Sequence, residues 1–276
     1  MAEDAGNNFD IVREYTVKTD KPKDASQILN EQIEESIKGF TRGKISTFIS
    51  SFTAGLEIGF SVLLMGTIYT LFGDQMSSSQ LTMVLALCYP LGFIFVIIGR
   101  SDLFTEHTAL AILPVLNRSA NLKDLFRLWG IIYAGNIVGG YFFSIILDKI
   151  GVPVGFVNAE AITYLALKVI NHSWNVMLLS AMFAGWMMGL LGWLITSSQE
   201  TISRIIVVIL VTAIIGVTGL HHCIVGSIEV FSGFIISDRI TFADYLQFQC
   251  WATLGNAAGG TIFVAILKFS YIRAKN

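Results

Sequence analysis

Ionisable residues sit at two places where the surrounding chain is apolar. The first is Gly99-Arg100-Ser101-Asp102-Leu103-Phe104-Thr105-Glu106-His107-Thr108, and the second is Gly219-Leu220-His221-His222-Cys223-Ile224-Val225-Gly226-Ser227. Each interrupts a hydrophobic run too long for one plain helix. An unpaired charge at bilayer depth costs at least ~2.5 kcal/mol. Irregular backbone survives there only where protein buries it or water reaches it. A histidine in such a place donates a hydrogen bond or a proton to a passing solute. Glu57, Glu106 and Glu229 are further acidic groups inside apolar stretches. Their depth predicts that Arg100 forms a buried ion pair with Glu57 or Glu229.

Other chemistries lack support. No nucleophile–base pair, phosphate loop or metal-ligand spacing appears, so neither an enzyme, a metal site nor a cofactor is expected. Cys88, Cys223 and Cys250 all fall in apolar runs and read as buried thiols. A net charge of −2 gives no basic footprint for nucleic acid.

The elements that hold these clusters are membrane helices. The chain is 54% hydrophobic and 14% charged, with a mean hydropathy of +0.66; soluble domains carry about a quarter charged residues. Six spans are expected, near 45–72, 81–116, 128–147, 176–196, 205–236 and 245–271. Of 18 Lys and Arg, only Lys149, Lys168 and Arg239 fall opposite the termini, with Arg100 inside a span. The positive-inside rule then puts both termini in the cytoplasm. Residues 1–21 read as a disordered polar tail, and no cleavable leader is visible. Residues 22–44 carry Ile28, Leu29, Ile33, Ile37 and Phe40 at helical spacing, an amphipathic cytoplasmic helix. Residues 45–276 form the six-helix membrane domain.

That domain is doubled. Gly135-Asn136-Ile137-Val138-Gly139-Gly140 returns as Gly255-Asn256-Ala257-Ala258-Gly259-Gly260, and Ala54-Gly55 with Gly59 echoes Ala184-Gly185 with Gly189. Small residues at such spacing bring helices into close contact, and an asparagine adds a polar pin. Three spans per half make the repeat inverted, with halves of about 45–150 and 175–276. Two broken spans at corresponding places locate a transport site near the midplane.

Ser101-Asp102-Leu103-Phe104-Thr105 resembles the signature loop of the formate/nitrite transporter family. The break at His222 resembles that family's fifth-helix loop with its central histidine, and both Gly-Asn-x-x-Gly-Gly phrases stand where the family has them. The resemblance runs from about Pro22 onward. It implies an all-α, aquaporin-like protomer of six transmembrane helices, the second and fifth broken, assembled as a homopentamer in a bacterial cytoplasmic membrane. It also implies passage of a small monovalent anion, formate or nitrite for example, or of its protonated acid, with protons as a co-substrate. His222 would line the pore. Leu103, Phe104 and Thr105 would form the constriction, with Lys168 near the outer mouth; Arg100, which the family pattern lacks, either pairs with a carboxylate or binds the anion in the path. Glu57, Asp102, Glu106 and Glu229 would support the loops. Gly135, Asn136, Gly139, Gly255, Asn256 and Gly259 would pack the helices.

Three positions depart from the family pattern. Gly185 and Gly226 replace asparagines near the histidine, and Arg100 replaces a glycine. Two other functions therefore stand beside the anion channel: a non-conducting membrane scaffold or regulatory subunit, and a pore for water or a small neutral solute.

Overall fold

The computed structural model describes residues 22–275; the tail expected at residues 1–21 lies outside them. Helix α1 (Ala25–Thr41) opens with a capping box in which Asp24 and Gln27 satisfy each other's backbone N–H groups. Ile28, Leu29 and Ile33 are buried beneath it. Among the described residues, six helices are long and apolar enough to cross a membrane: α2 (Lys44–Phe72), α3 (Ser78–Gly99), α5 (Leu122–Val154), α7 (Trp174–Ser197), α8 (Thr201–Thr218) and α10 (Phe242–Ala274). Two shorter apolar helices follow breaks, α4 (Phe104–Leu116) after α3 and α9 (Cys223–Ile236) after α8. Helix α6 (Ala159–Ile170) lies between α5 and α7 in the chain.

The second and fifth expected spans are thus helix–break–helix units. Helix α3 ends at Arg100 and α8 ends at Gly219, both in the left-handed region (φ 60°, ψ 35° and φ 66°, ψ 31°). Just beyond, Ser101 N–H donates to Val96 O and Leu220 N–H to Ile215 O, each at 3.1 Å. This is the Schellman stop that normally uses glycine. Arg100 supplies it without one, at a steric cost of about 1 kcal/mol.

Pro90 interrupts the backbone ladder of α3, because it has no N–H to donate. Ser61 of α2 makes up the difference: its hydroxyl donates to Tyr89 O at 2.7 Å and accepts from Gly92 N at 2.8 Å.

The two halves are built on matching helix pairs, α2 along α5 and α7 along α10. Small residues set the distance. A Cβ on Gly139 would run into Phe52 O, and one on Gly259 into Met182 O. Only glycine lets these backbones approach so closely. Apolar side chains such as Ile45, Ile49, Leu87, Phe126 and Phe183 face outward. Exposure of this kind across a helical bundle is what a lipid surround requires. Cys88 and Cys223 are buried as expected, but Cys250 is exposed on this outer surface rather than enclosed in the core.

The ends of the helices define two sides. Helix α1, the start of α2 and the end of α7 share one, where Lys23 Nζ donates to Thr196 O at 2.8 Å. Helix α6 and the end of α2 share the other, where Asn158 N–H donates to Thr70 Oγ1 at 2.9 Å.

Candidate functional site

Each break is held by one asparagine. Asn136 Nδ2 donates to Ser51 O at 2.7 Å and to Asp102 O at 2.8 Å, while its Oδ1 accepts from Phe104 N–H at 2.8 Å. Asn256 Nδ2 donates to Ala181 O at 2.7 Å and to His221 O at 2.9 Å, while its Oδ1 accepts from Cys223 N–H at 2.8 Å. Both asparagines are fully buried. Two donors and one acceptor are used in the same way in both halves. The carboxamide thereby takes up backbone groups that a broken helix leaves without partners. The structure places Gly135, Gly139, Gly255 and Gly259 at the flanking backbone contacts.

This pairing aligns Leu103 with His222. Both stand at the N-cap of the second helix in extended backbone (φ −101°, ψ 128° and φ −105°, ψ 119°). His222 Nδ1 accepts from Ile224 N–H and Val225 N–H, each at 3.3 Å. The ring's proton must then sit on Nε2. Nε2 lies 2.9 Å from Thr105 Oγ1 and donates to it. Thr105 Oγ1 has no other partner among the described residues, so its own hydroxyl proton is free for a solute. The Phe93 ring stands at a right angle to the His222 ring, with centroids 5.2 Å apart and planes at 88°. The two breaks therefore converge on one contact, with a hydroxyl polarised by an imidazole N–H.

The three residues of the expected constriction point in different directions. Thr105 faces His222. Phe104 packs edge-on against Tyr133 (5.0 Å) and Trp129 (6.1 Å) of α5. Leu103 is wholly enclosed. A polar group of Tyr133, Gln249 and Thr253 lies beyond Phe104: Gln249 Nε2 donates to Tyr133 Oη at 2.7 Å, and also to Cys223 O at 3.3 Å.

Arg100 is exposed and forms none of the ion pairs found among the described residues, so the expected partnership with Glu57 or Glu229 is absent. Arg100 lines a vestibule on the α1 side. The partner to the loop is Arg42 instead. Its guanidinium pairs with Asp102 Oδ2, and His107 Nε2 meets Asp102 Oδ1 at 3.1 Å. Asp102 N–H also donates to Ser50 Oγ at 3.1 Å. The end of α1 is thus tied to the first break. The vestibule has a volume of about 620 Å³ and is lined by charges of both signs, among them Glu34, Glu35, Arg42, Arg100, Glu106 and Arg204. Glu57 turns to Ser101.

On the opposite side, Lys168 of α6 lies over the second break. A Cβ at Gly219 would be 3.8 Å from Lys168 Cε. Glu229 lies on α9, within electrostatic reach of Lys168. His221 faces away from Thr105. Its Nδ1 meets Ser180 Oγ at 2.8 Å and its Nε2 meets Val169 O at 2.9 Å, which fastens the loop to α6 and α7. Gly185 and Gly226 do not open onto the path. A Cβ on Gly185 would strike the Asn256 backbone, and one on Gly226 the Phe248 ring. Arg42, Ser180, Tyr133 and Gln249 escaped the sequence reading because each finds a partner far away in the chain, in a break loop or on another helix.

Two inverted halves, two broken helices and a histidine where the breaks meet define a multi-pass membrane protein of the transport class. A model of the formate/nitrite transporter family matches residues 26–270, and the chain belongs to that family. It is similar to the "Inner membrane protein YfdC" of Escherichia coli (strain K12), with 27% identity over 266 residues, covering 95% of this chain and 83% of that one. It is also similar to the "Formate channel FocA" of Haemophilus influenzae, with 24% identity over 242 residues, 79% of this chain and 85% of that one. A solved structure described as "FNT family ion channel" has the same fold, with a TM-score of 0.80, 20% identity and coverage of 90% and 99%. Another, "Pentameric formate channel with formate bound", gives a TM-score of 0.69 at 20% identity, with coverage of 84% and 98%.

Proposed function

We propose that the chain conducts a small monovalent anion, formate or nitrite for example, or its neutral acid, past the Thr105–His222 contact. That contact carries the reading. A bare anion in a narrow apolar path faces a large desolvation cost. The Thr105 hydroxyl offers a hydrogen bond at the point where the two breaks meet, and His222 Nε2–H behind it strengthens that bond. The name of the Haemophilus influenzae relative, a formate channel, points the same way. Lys168 at one mouth and Arg100 at the other raise the local anion concentration.

The α1 side is the cytoplasmic one in this reading, because most Lys and Arg outside the spans are there. The assembly is a homopentamer in a bacterial inner membrane, each protomer with its own path. Flux of a panel of monovalent anions into proteoliposomes across a pH step tests the function. Uptake of formate or nitrite above empty vesicles is expected. No flux of any anion through correctly folded protein would overturn the reading in favour of a scaffold.

A further inference from the structure

Glu229 is a carboxyl for which no helix contact accounts. It is 6% exposed, and it has no hydrogen bond or ion pair among the described residues. It stands seven residues beyond His222 on α9, two turns and about 10 Å along the same face. At the His222 end of that face stands Phe93 of α3. Phe93 abuts the His222 ring, and Tyr89 stacks on Phe93 at 5.4 Å. Tyr89 is also 6% exposed and within electrostatic reach of Glu229, and its hydroxyl has no partner either. Lys168 approaches from α6. Tyr89 and Lys168 are thus both within electrostatic reach of Glu229, beyond His222 toward α6.

Other ionisable groups on helices packed against α9 face elsewhere: Glu160 of α6 pairs with Arg239, Tyr164 of α6 lies on Tyr69, and Tyr133 of α5 bonds to Gln249. Tyr245 of α10 is bonded to Ser227 and to Tyr141 of α5. Asp148 of α5 pairs with Lys149. Glu57 of α2 turns to Ser101. Glu106 and His107 of α4 line the vestibule on the far side. The Cys223 thiol, at the start of α9 itself, turns to Thr253 of α10.

His222 is poorly placed to give a proton away. It holds one, on Nε2, and losing it would leave an imidazolate. Taking up a second would set an N–H on Nδ1 against the two N–H groups it now accepts. We infer that Glu229, with Tyr89 and Lys168, forms a second subsite that binds the anion and hands it a proton before it reaches His222. The inference rests on the anion-conducting reading above. The O–H bond of the Glu229 carboxyl breaks as a new O–H bond forms on an oxygen of a carboxylate or nitrite anion. The solute moves on as the neutral acid. Lys168 faces the carboxylate left behind, and water on the α6 side returns a proton to it. His222 and Thr105 then serve as hydrogen-bonding groups for a neutral species.

The test combines infrared difference spectra of the reconstituted protein with formate-driven proton uptake in proteoliposomes, for wild type and Glu229→Gln. A protonated-carboxyl C=O band that shifts on adding formate and vanishes in Glu229→Gln is expected. Proton uptake should fall by about tenfold or more in that variant. Absence of any formate-dependent carboxyl band would overturn the inference whatever the flux, as would unchanged proton uptake in Glu229→Gln. A formate-responsive Glu229 band in a wild-type protein without flux would uphold the subsite and overturn the channel reading alone.

Discussion

Thr105 Oγ1 and His222 Nε2 are 2.9 Å apart although 117 residues separate them in the chain. Each comes from a different half of the repeat and stands at the start of the helix that follows a break. The bond direction is fixed from behind, because Ile224 N–H and Val225 N–H occupy His222 Nδ1. Solid-state nitrogen NMR of ring-labelled protein in lipid should show a protonated Nε2 and an unprotonated Nδ1. The opposite tautomer would contradict the assignment of Thr105 as the donor to solute.

The asparagine pins predict matched effects in the two halves. Asn136→Ala leaves Phe104 N–H and Asp102 O buried without a partner, and Asn256→Ala does the same to Cys223 N–H and His221 O. Each orphaned group costs about 1–3 kcal/mol. Both variants should lower the thermal unfolding midpoint in detergent and reduce flux. A variant with wild-type midpoint and flux would show that the break holds its shape without the carboxamide.

Much of this arrangement was legible in the chain. Charges inside apolar runs mark both breaks, because bilayer depth tolerates them only where the helix opens. The doubled Gly-Asn-x-x-Gly-Gly marks the pins, because only small residues admit a carboxamide between two backbones. The pairings that close the site were hidden. Arg42 and Asp102 lie 60 residues apart, on an amphipathic helix and a loop whose relative placement no periodicity encodes. Depth alone offered Glu57 and Glu229 as partners for Arg100, but Arg100 is exposed in the vestibule lining and Glu57 turns to Ser101. Gly185 and Gly226 looked like lost hydrogen-bonding groups, and prove to be surfaces against which α10 packs.

Arg100 occupies a backbone conformation that glycine adopts freely. Arg100→Gly should stabilise the protein by about 1 kcal/mol, read as a higher midpoint. Gly219, its counterpart, should behave in the opposite sense: Gly219→Ala should destabilise by about 1 kcal/mol. A lower midpoint in Arg100→Gly would mean that the Arg100 side chain makes a stabilising contact in the vestibule.

The tie from Arg42 to Asp102 predicts the behaviour of α1. Removing one partner of a half-buried pair leaves the other charge uncompensated. Arg42→Ala should raise hydrogen exchange at the end of α1 and at residues 100–104, leaving α9 protected. Unchanged exchange at both segments would show that α1 is held by Ile28, Leu29 and Ile33 alone.

The central claim is that solute crosses at the Thr105–His222 contact. Thr105→Val keeps the shape of the side chain and removes the hydroxyl, so it isolates the hydrogen bond. Formate flux into proteoliposomes should fall about tenfold or more in Thr105→Val, with folding and oligomeric state retained. Flux equal to that of the wild type would contradict the account, because the solute would then be crossing the membrane without using the one polar group that both breaks converge to present.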